Sequence, residues 1–205
     1  MAAEVTRRRR DGEIAQERIL EEAMRAIAEN GLAALTMSKL AQRLDTSGGH
    51  ILYYFGSKDR LLLDALRWSE DRLGGIREAL LARRTTAVRR LDDFLALYLP
   101  EGPRDPRWML WVELWARTAG NPELLQAQEA IDRAWQSDLE TLLTRGARQG
   151  RFALPEQDVP AAADEILALL DGLSTRVVLS LAGATRDTVL DTARRAVRRI
   201  TLPAR

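Results

Sequence analysis

The chain has 205 residues with no cysteine and one histidine, and its 31 basic residues against 30 acidic ones give a formal net charge of +1. Disulfides, thiolate zinc sites and thiol nucleophiles are thereby excluded, and the overall charge argues for neither nucleic acid nor membrane. The length is enough to bury a real core without a covalent staple.

The N-terminus, MAAEVTRRRRDGEIAQERI, is basic at Arg7 to Arg10 but has no apolar segment behind it. Nowhere does the chain hold the roughly 18 uninterrupted apolar residues of a membrane span. Together these features predict a cytoplasmic protein without membrane contact. Residues 1–12 read as a flexible basic arm, either a solubilising tail or an extra contact to phosphates or a minor groove.

Residues 13–29 place Ile19, Leu20, Ala23 and Ile27 at helical spacing with glutamates opposite, and Asn30-Gly31 ends that helix. Thr36 caps a short second helix with Met37, Leu40, Ala41 and Leu44 on its inner side. Asp45-Thr46-Ser47 interrupts it, and Ser47 caps a third helix reaching Tyr54. After Phe55-Gly56, Ser57 opens a long fourth helix, KDRLLLDALRW, with Asp59 suited to its dipole.

Two short helices around a three-residue break are the pattern of a DNA-reading helix-turn-helix. Ala41 allows the close crossing, and Asp45 tolerates the positive backbone dihedral of the turn. The third helix would enter the major groove with its N-terminal residues facing base edges. Between Thr36 and Arg60 the cations Lys39, Arg43, Lys58 and Arg60 outnumber Asp45 and Asp59, which supports this. Gly48 and Gly49 each cost about 1 kcal/mol against alanine in a helix. They fit close approach to DNA, leaving Thr46, Ser47, His50 and Tyr53 as polar contacts, or a frayed helix start. Few long polar side chains remain for base readout, so DNA shape is expected to contribute.

Beyond Gly74 the pattern stays helical. Val88, Leu91, Leu95 and Tyr98 share one face before Pro100, Gly102 and Pro103; residues 106–118 are strongly apolar; Asn121-Pro122-Glu123 starts a helix that runs to Gln149 with Ile131, Trp135, Leu139 and Leu142 inward. Residues 158–182 and 186–200 complete the chain, and strand alternation is absent. The expectation is an all-α fold of about nine helices, divided into a three-helix helix-turn-helix domain (13–56) and a larger helical regulatory and dimerisation domain (57–205).

Residues 14–61 resemble the DNA-binding domain of the TetR family of bacterial transcriptional regulators through Thr36, Leu40, Ala41, Ser47, Ile51, Tyr54, Phe55, Ser57, Lys58 and Leu61. The chain departs from the pattern at Leu44-Asp45-Thr46, where Ala-Gly-Val is usual, and at Leu52, where a phosphate-binding tyrosine is common; Tyr53 is expected to replace part of that contact. The resemblance implies a homodimer on a pseudo-palindromic double-stranded operator, acting as a repressor that a small-molecule inducer releases. Its DNA contacts would come from Thr36, Lys39, Thr46, Ser47, Gly48, Gly49, His50, Tyr53, Tyr54 and Lys58. The alternative is a DNA-binding protein of the same fold controlled by a protein partner or by no ligand. The C-terminal body is loosely similar to the choline-responsive branch of the family.

Trp108, Trp111 and Trp115 fall on one helix face, with Glu113 and Arg117 opposite as an expected surface ion pair. Trp68, Phe94, Tyr98, Trp135 and Phe152 could approach from neighbouring helices. The aromatic set fits ordinary core packing. It also fits a cavity for a cationic or flat aromatic effector, with Trp68, Phe94, Tyr98, Trp111, Trp115 and Trp135 as candidate lining. Ile166, Leu170, Leu173, Val177 and Leu181 in one helix, and Leu190, Ala193 and Val197 in the next, are the candidate dimer interface. Since His50 has no cysteine partner and no HExxH, GxSxG or phosphate-loop pattern occurs, no enzyme, metal site or cofactor is expected.

Overall fold

The computed structural model describes residues 2–201, with side chains from Gln16 onward. Among these residues it is all-helical: α1 (Ala2–Ala34), α2 (Met37–Arg43), α3 (Gly48–Phe55), α4 (Lys58–Ala82), α5 (Ala87–Tyr98), α6 (Pro106–Thr118), α7 (Pro122–Arg148), α8 (Val159–Val178) and α9 (Arg186–Thr201), with single 3-10 turns at Glu156–Asp158 and Leu181–Gly183. None of these helices is long and apolar enough to cross a membrane. The backbone of the expected N-terminal arm is continuous with α1. The side chains of Arg7 to Arg10, on which its DNA contacts would depend, lie outside the described residues.

The caps read from sequence are in place. Thr36 Oγ1 accepts from the Lys39 N–H, Ser47 Oγ from the His50 N–H and Ser57 Oγ from the Arg60 N–H, each at 3.1 Å. Each hydroxyl satisfies a first-turn donor that its helix leaves orphaned. Asp45 adopts φ 51°, the left-handed conformation expected of the turn between α2 and α3. Gly31, at φ 76° and ψ 160°, breaks the helical path of α1 where the sequence placed its end. Ile19, Ala23, Ile27, Leu40, Ile51 and Phe55 form the core of the small N-terminal unit, and Leu61, Leu62 and Leu66 extend it along α4 into the body.

The end of α1 is held from outside the N-terminal unit as well as from within. Its late carbonyls lack partners in the helix and carry the negative end of the dipole. Lys39 Nζ donates to Ala34 O, and Lys58 Nζ donates to Leu32 O and Ala33 O. Arg104, in the α5–α6 loop, donates to the carbonyls of Ala28 and Glu29, while its own backbone N–H donates to Val178 O at the end of α8. The N-terminal unit and the end of α8 therefore share one arginine.

Two expectations about the body need correction. Val88 is exposed at the rim of a groove between α5 and α9. More consequentially, Ile166, Leu170, Val177, Ala193 and Val197 are buried within one protomer. α8 packs against α7, and α9 packs against α8 and α5, so the widest apolar face of each closes the core of its own chain. Of the eight expected interface residues, Leu181 is exposed and Leu173 and Leu190 are half-buried.

Candidate nucleic-acid interface and aromatic cavity

Thr36, Lys39, Thr46, Ser47, Gly49, His50 and Tyr53 are exposed, and Gly48, Tyr54 and Lys58 are partly so. They sit at the starts of α2, α3 and α4, except Tyr53 and Tyr54 near the end of α3, so the helix-turn-helix brings the sequence candidates together. Tyr53 is 83% exposed and Leu52 46%, although Ile51 and Phe55 of the same helix are buried. A tyrosine left almost wholly in water has no folding role that its burial would reveal. His50 packs edge-on against Tyr54 at 4.9 Å between ring centroids, which orients the imidazole from below. A Cβ built on Gly49 would meet nothing nearer than Ser47 Oγ at 4.0 Å, so nothing within the protein forbids a side chain there.

Arg18 was not among the residues singled out in the sequence. This exposed residue of α1 borders a shallow notch of about 200 Å³ with Thr46 and His50 of the recognition segment. Its signal was the exposed basic position on an otherwise glutamate-rich helix face.

The tryptophan stripe of α6 forms part of a second site inside the body. Tyr98 of α5, Trp108, Trp111 and Trp115 of α6 and Trp135 of α7 surround a cavity of about 70 Å³. Arg107, Gln128, Asp132 and Asp171 complete its lining. The rings are fixed mutually: Tyr98 lies edge-on to Trp135 at 4.7 Å and to Trp108 at 5.7 Å, and Trp108 to Trp115 at 6.1 Å. Trp108 Nε1 donates to Tyr98 O at 3.2 Å, which satisfies a carbonyl at the α5 C-terminus and locks the two helices in register.

Two of the six candidate lining residues are elsewhere. Phe94 is fully buried behind Trp135, edge-on at 5.4 Å, and acts as backing. Trp68 faces a separate groove between α1, α4 and α5, with the Arg72 guanidinium 4.9 Å from its ring. Glu113 and Arg117 do pair, at 2.6 Å, but the pair is half-buried. Glu113 Oε1 also accepts from the backbone N–H of Leu32.

The polar end of the cavity is acidic. The Tyr98 hydroxyl donates to Asp171 Oδ1 at 2.6 Å, and Gln128 donates toward Asp132. Burial pushes the Asp171 carboxyl up to about 6, with repulsion from Asp132 adding to the shift and the Tyr98 hydrogen bond opposing it. Burial likewise raises Asp132, and it raises the Tyr98 phenol strongly. These carboxyls lie beside the ring faces, with the Arg107 guanidinium 5.2 Å from the Trp108 ring and the Arg77 guanidinium 4.1 Å over Trp135. The small volume and acidic end do not suit a large flat apolar compound.

Both parts of the chain match known families. Residues 19–65 match the model of the N-terminal domain of the tetR family of bacterial regulatory proteins, and residues 87–202 match that of the BetI-type transcriptional repressor C-terminal domain. HTH-type transcriptional regulator BetI of Burkholderia cenocepacia is 29% identical over 182 residues, covering 86% of this chain and 87% of that protein. BetI 2 of Chromohalobacter salexigens is 30% identical over 179 residues, covering 83% and 80%. Among solved structures, a transcriptional regulator from Saccharomonospora viridis in complex with choline superposes with a TM-score of 0.85 at 28% identity, over 94% of this chain and 100% of that one. A TetR regulator from Haloarcula marismortui shares the fold at a TM-score of 0.75 and 23% identity, over 91% and 95%. These matches span the DNA-reading unit and the body alike, and the chain belongs to the TetR family of DNA-binding transcriptional regulators, with a C-terminal domain of BetI type.

Proposed function

We propose that the protein is a repressor that binds a pseudo-palindromic operator as a homodimer in the cytoplasm and releases it when a compact quaternary ammonium compound, choline or a close analogue, enters the aromatic cavity. The observation that carries this reading is the cavity itself. Five aromatic rings enclose about 70 Å³, and Asp132 and Asp171 lie at one end. A trimethylammonium group cannot donate hydrogen bonds, so ring faces are its best partners, and each contributes about 0.5 to 1 kcal/mol when exposed and about 2 or more when desolvated. The carboxylates supply long-range attraction and acceptors for a hydroxyl. The choline complex of the Saccharomonospora viridis regulator supports the same choice.

The exposed face of α3 with Lys39, Lys58 and Arg18 supports the operator reading, with His50 and Tyr53 directed at base edges and the lysines at phosphates. Two copies are needed for a palindrome. Leu179 and Leu181, each 44% exposed at the end of α8, together with Leu173 and Leu190, offer the apolar surface that a copy would cover.

The test is release of protein from a fragment selected out of the host genome. Choline should displace it, whereas 3,3-dimethyl-1-butanol, the uncharged carbon isostere, should not. Equal potency of the isostere would remove the cation from the reading, and indifference to both would remove the ligand.

A further inference from the structure

We infer that Glu70 is the positioning residue of the aromatic cavity, holding Trp111 of α6 and Trp135 of α7 by their indole N–H groups and thereby setting the affinity for the cation. The inference rests on the effector reading above, but its structural half stands independently.

Glu70 lies on α4 and is only 5% exposed. Its Oε1 accepts from Trp111 Nε1 at 3.0 Å and its Oε2 from Trp135 Nε1 at 2.9 Å. Glu70 is not itself part of the cavity lining, so it acts through the two rings that are. A buried carboxylate requires compensation, and two guanidiniums stand near it. Their distances decide what the carboxylate is for. Arg107 Nη1 is 3.5 Å away and Arg77 Nη1 3.9 Å, both longer than the indole contacts. Arg77 Nη1 is buried with no hydrogen-bond partner, while the Nε of the same side chain takes Asp138 at 2.7 Å. Had Glu70 served to pair an arginine, the short contacts would run to the guanidiniums. They run to the indoles instead.

Only a carboxylate fits this role. Its two oxygens accept and never donate, so one side chain can serve two N–H groups arriving from different helices. A glutamine would meet one indole with its oxygen and confront the other, donor against donor, with its NH2. The rings would then lose their common anchor while the volume stayed the same.

The experiment uses the full-length Glu70→Gln variant with proton–nitrogen spectra, the indole resonances assigned through Trp111→Phe and Trp135→Phe. At least one of the two indole N–H signals should move upfield in Glu70→Gln. The choline concentration at half-saturation should rise about tenfold, as loss of a buried charged hydrogen bond predicts, with operator affinity in the absence of choline unchanged. In the Trp111→Phe background the same substitution should have a smaller effect, since one of its donors is already gone. Unmoved indole signals, equal effects in both backgrounds, or a parallel loss of operator affinity would each overturn the assignment. If the wild-type protein fails to bind choline, the effector reading falls, and the indole signals alone then decide: movement sustains the anchor and its absence removes it.

Discussion

Glu113 on α6 accepts a hydrogen bond from the backbone N–H of Leu32 at 2.8 Å, just past the break in α1 at Gly31. The stripe that walls the cavity, Trp108, Trp111 and Trp115, stands on the same helix. One helix of 13 residues thus touches both the cavity and the end of the first DNA-domain helix. Arg117 holds the Glu113 carboxylate in place and also lies 3.5 Å from Asp59 in the first turn of α4.

Replacing Glu113 with alanine should therefore separate binding from response. The Leu32 N–H would lose its partner, with an expected destabilisation of about 1 to 3 kcal/mol visible in thermal unfolding. Choline affinity measured without DNA should hardly change, because the cavity is untouched. The factor by which saturating choline weakens operator binding should shrink, since that factor is the coupling between the two sites. An unchanged factor would show that the contact is structural only.

Effector binding should depend on pH through Asp171, whose carboxyl burial raises to about 6. A cation prefers the ionised form, so binding below that pH must expel a proton. Choline affinity should be level above neutrality and fall as the pH drops through about 6, by up to tenfold per unit. The sign for folding is the reverse. The folded state holds the proton more tightly than the unfolded chain, so this group's contribution to stability declines as the pH rises from its ordinary range toward 6. Calorimetric titration in buffers of different ionisation heat would count the proton released, and Asp171→Asn should flatten the profile. A persisting slope in that variant would move the titration to Asp132.

The N-terminal unit was legible in sequence because each of its signals is local. Thr36, Ser47 and Ser57 cap the helices that follow them, and Asp45 takes the turn that its side chain tolerates. The cavity was half legible. The helical spacing of Trp108, Trp111 and Trp115 fixed one wall, but Asp171 lies 73 residues from Tyr98, the residue it bonds. No periodicity reveals which carboxylates meet across such a distance. The same limit hides that Phe94 sits behind this lining, against Trp135, and that Trp68 lines a separate groove. The dimer face is hidden for a different reason: an amphipathic stripe declares that a helix is covered, not whether its own chain or another covers it, and here its own chain covers Ile166, Leu170, Val177, Ala193 and Val197.

Lys58 and Arg18 should differ in how they fail. Lys58 bonds the carbonyls of Leu32 and Ala33 as well as standing at the expected phosphate position. Its replacement by alanine should lower the melting temperature and reduce the salt slope of operator binding by about one. Arg18→Ala should reduce the slope similarly with no thermal cost, because its side chain is exposed beside the notch. Binding measured over a series of salt concentrations checks both. An unaltered slope for Arg18→Ala would return that residue to the solvated surface.

Charges placed at Val177 would enter the core, where that side chain is fully buried, and would test folding, not assembly. Leu179 and Leu181 are the better probes, each 44% exposed. A free apolar side chain of this size in water forgoes roughly 1 kcal/mol or more that a copy could recover. Leu179→Glu with Leu181→Glu should thus yield a folded monomer with an unchanged far-ultraviolet spectrum. That monomer should still bind choline, whose cavity lies within one chain. It should lose the palindromic operator, because two half-sites on one fragment bind tightly only when the second recognition helix arrives attached to the first. Ultracentrifugation and a binding titration on the same sample distinguish the outcomes, and a dimer that survives both charges would place the two-fold axis on another face of α8 and α9.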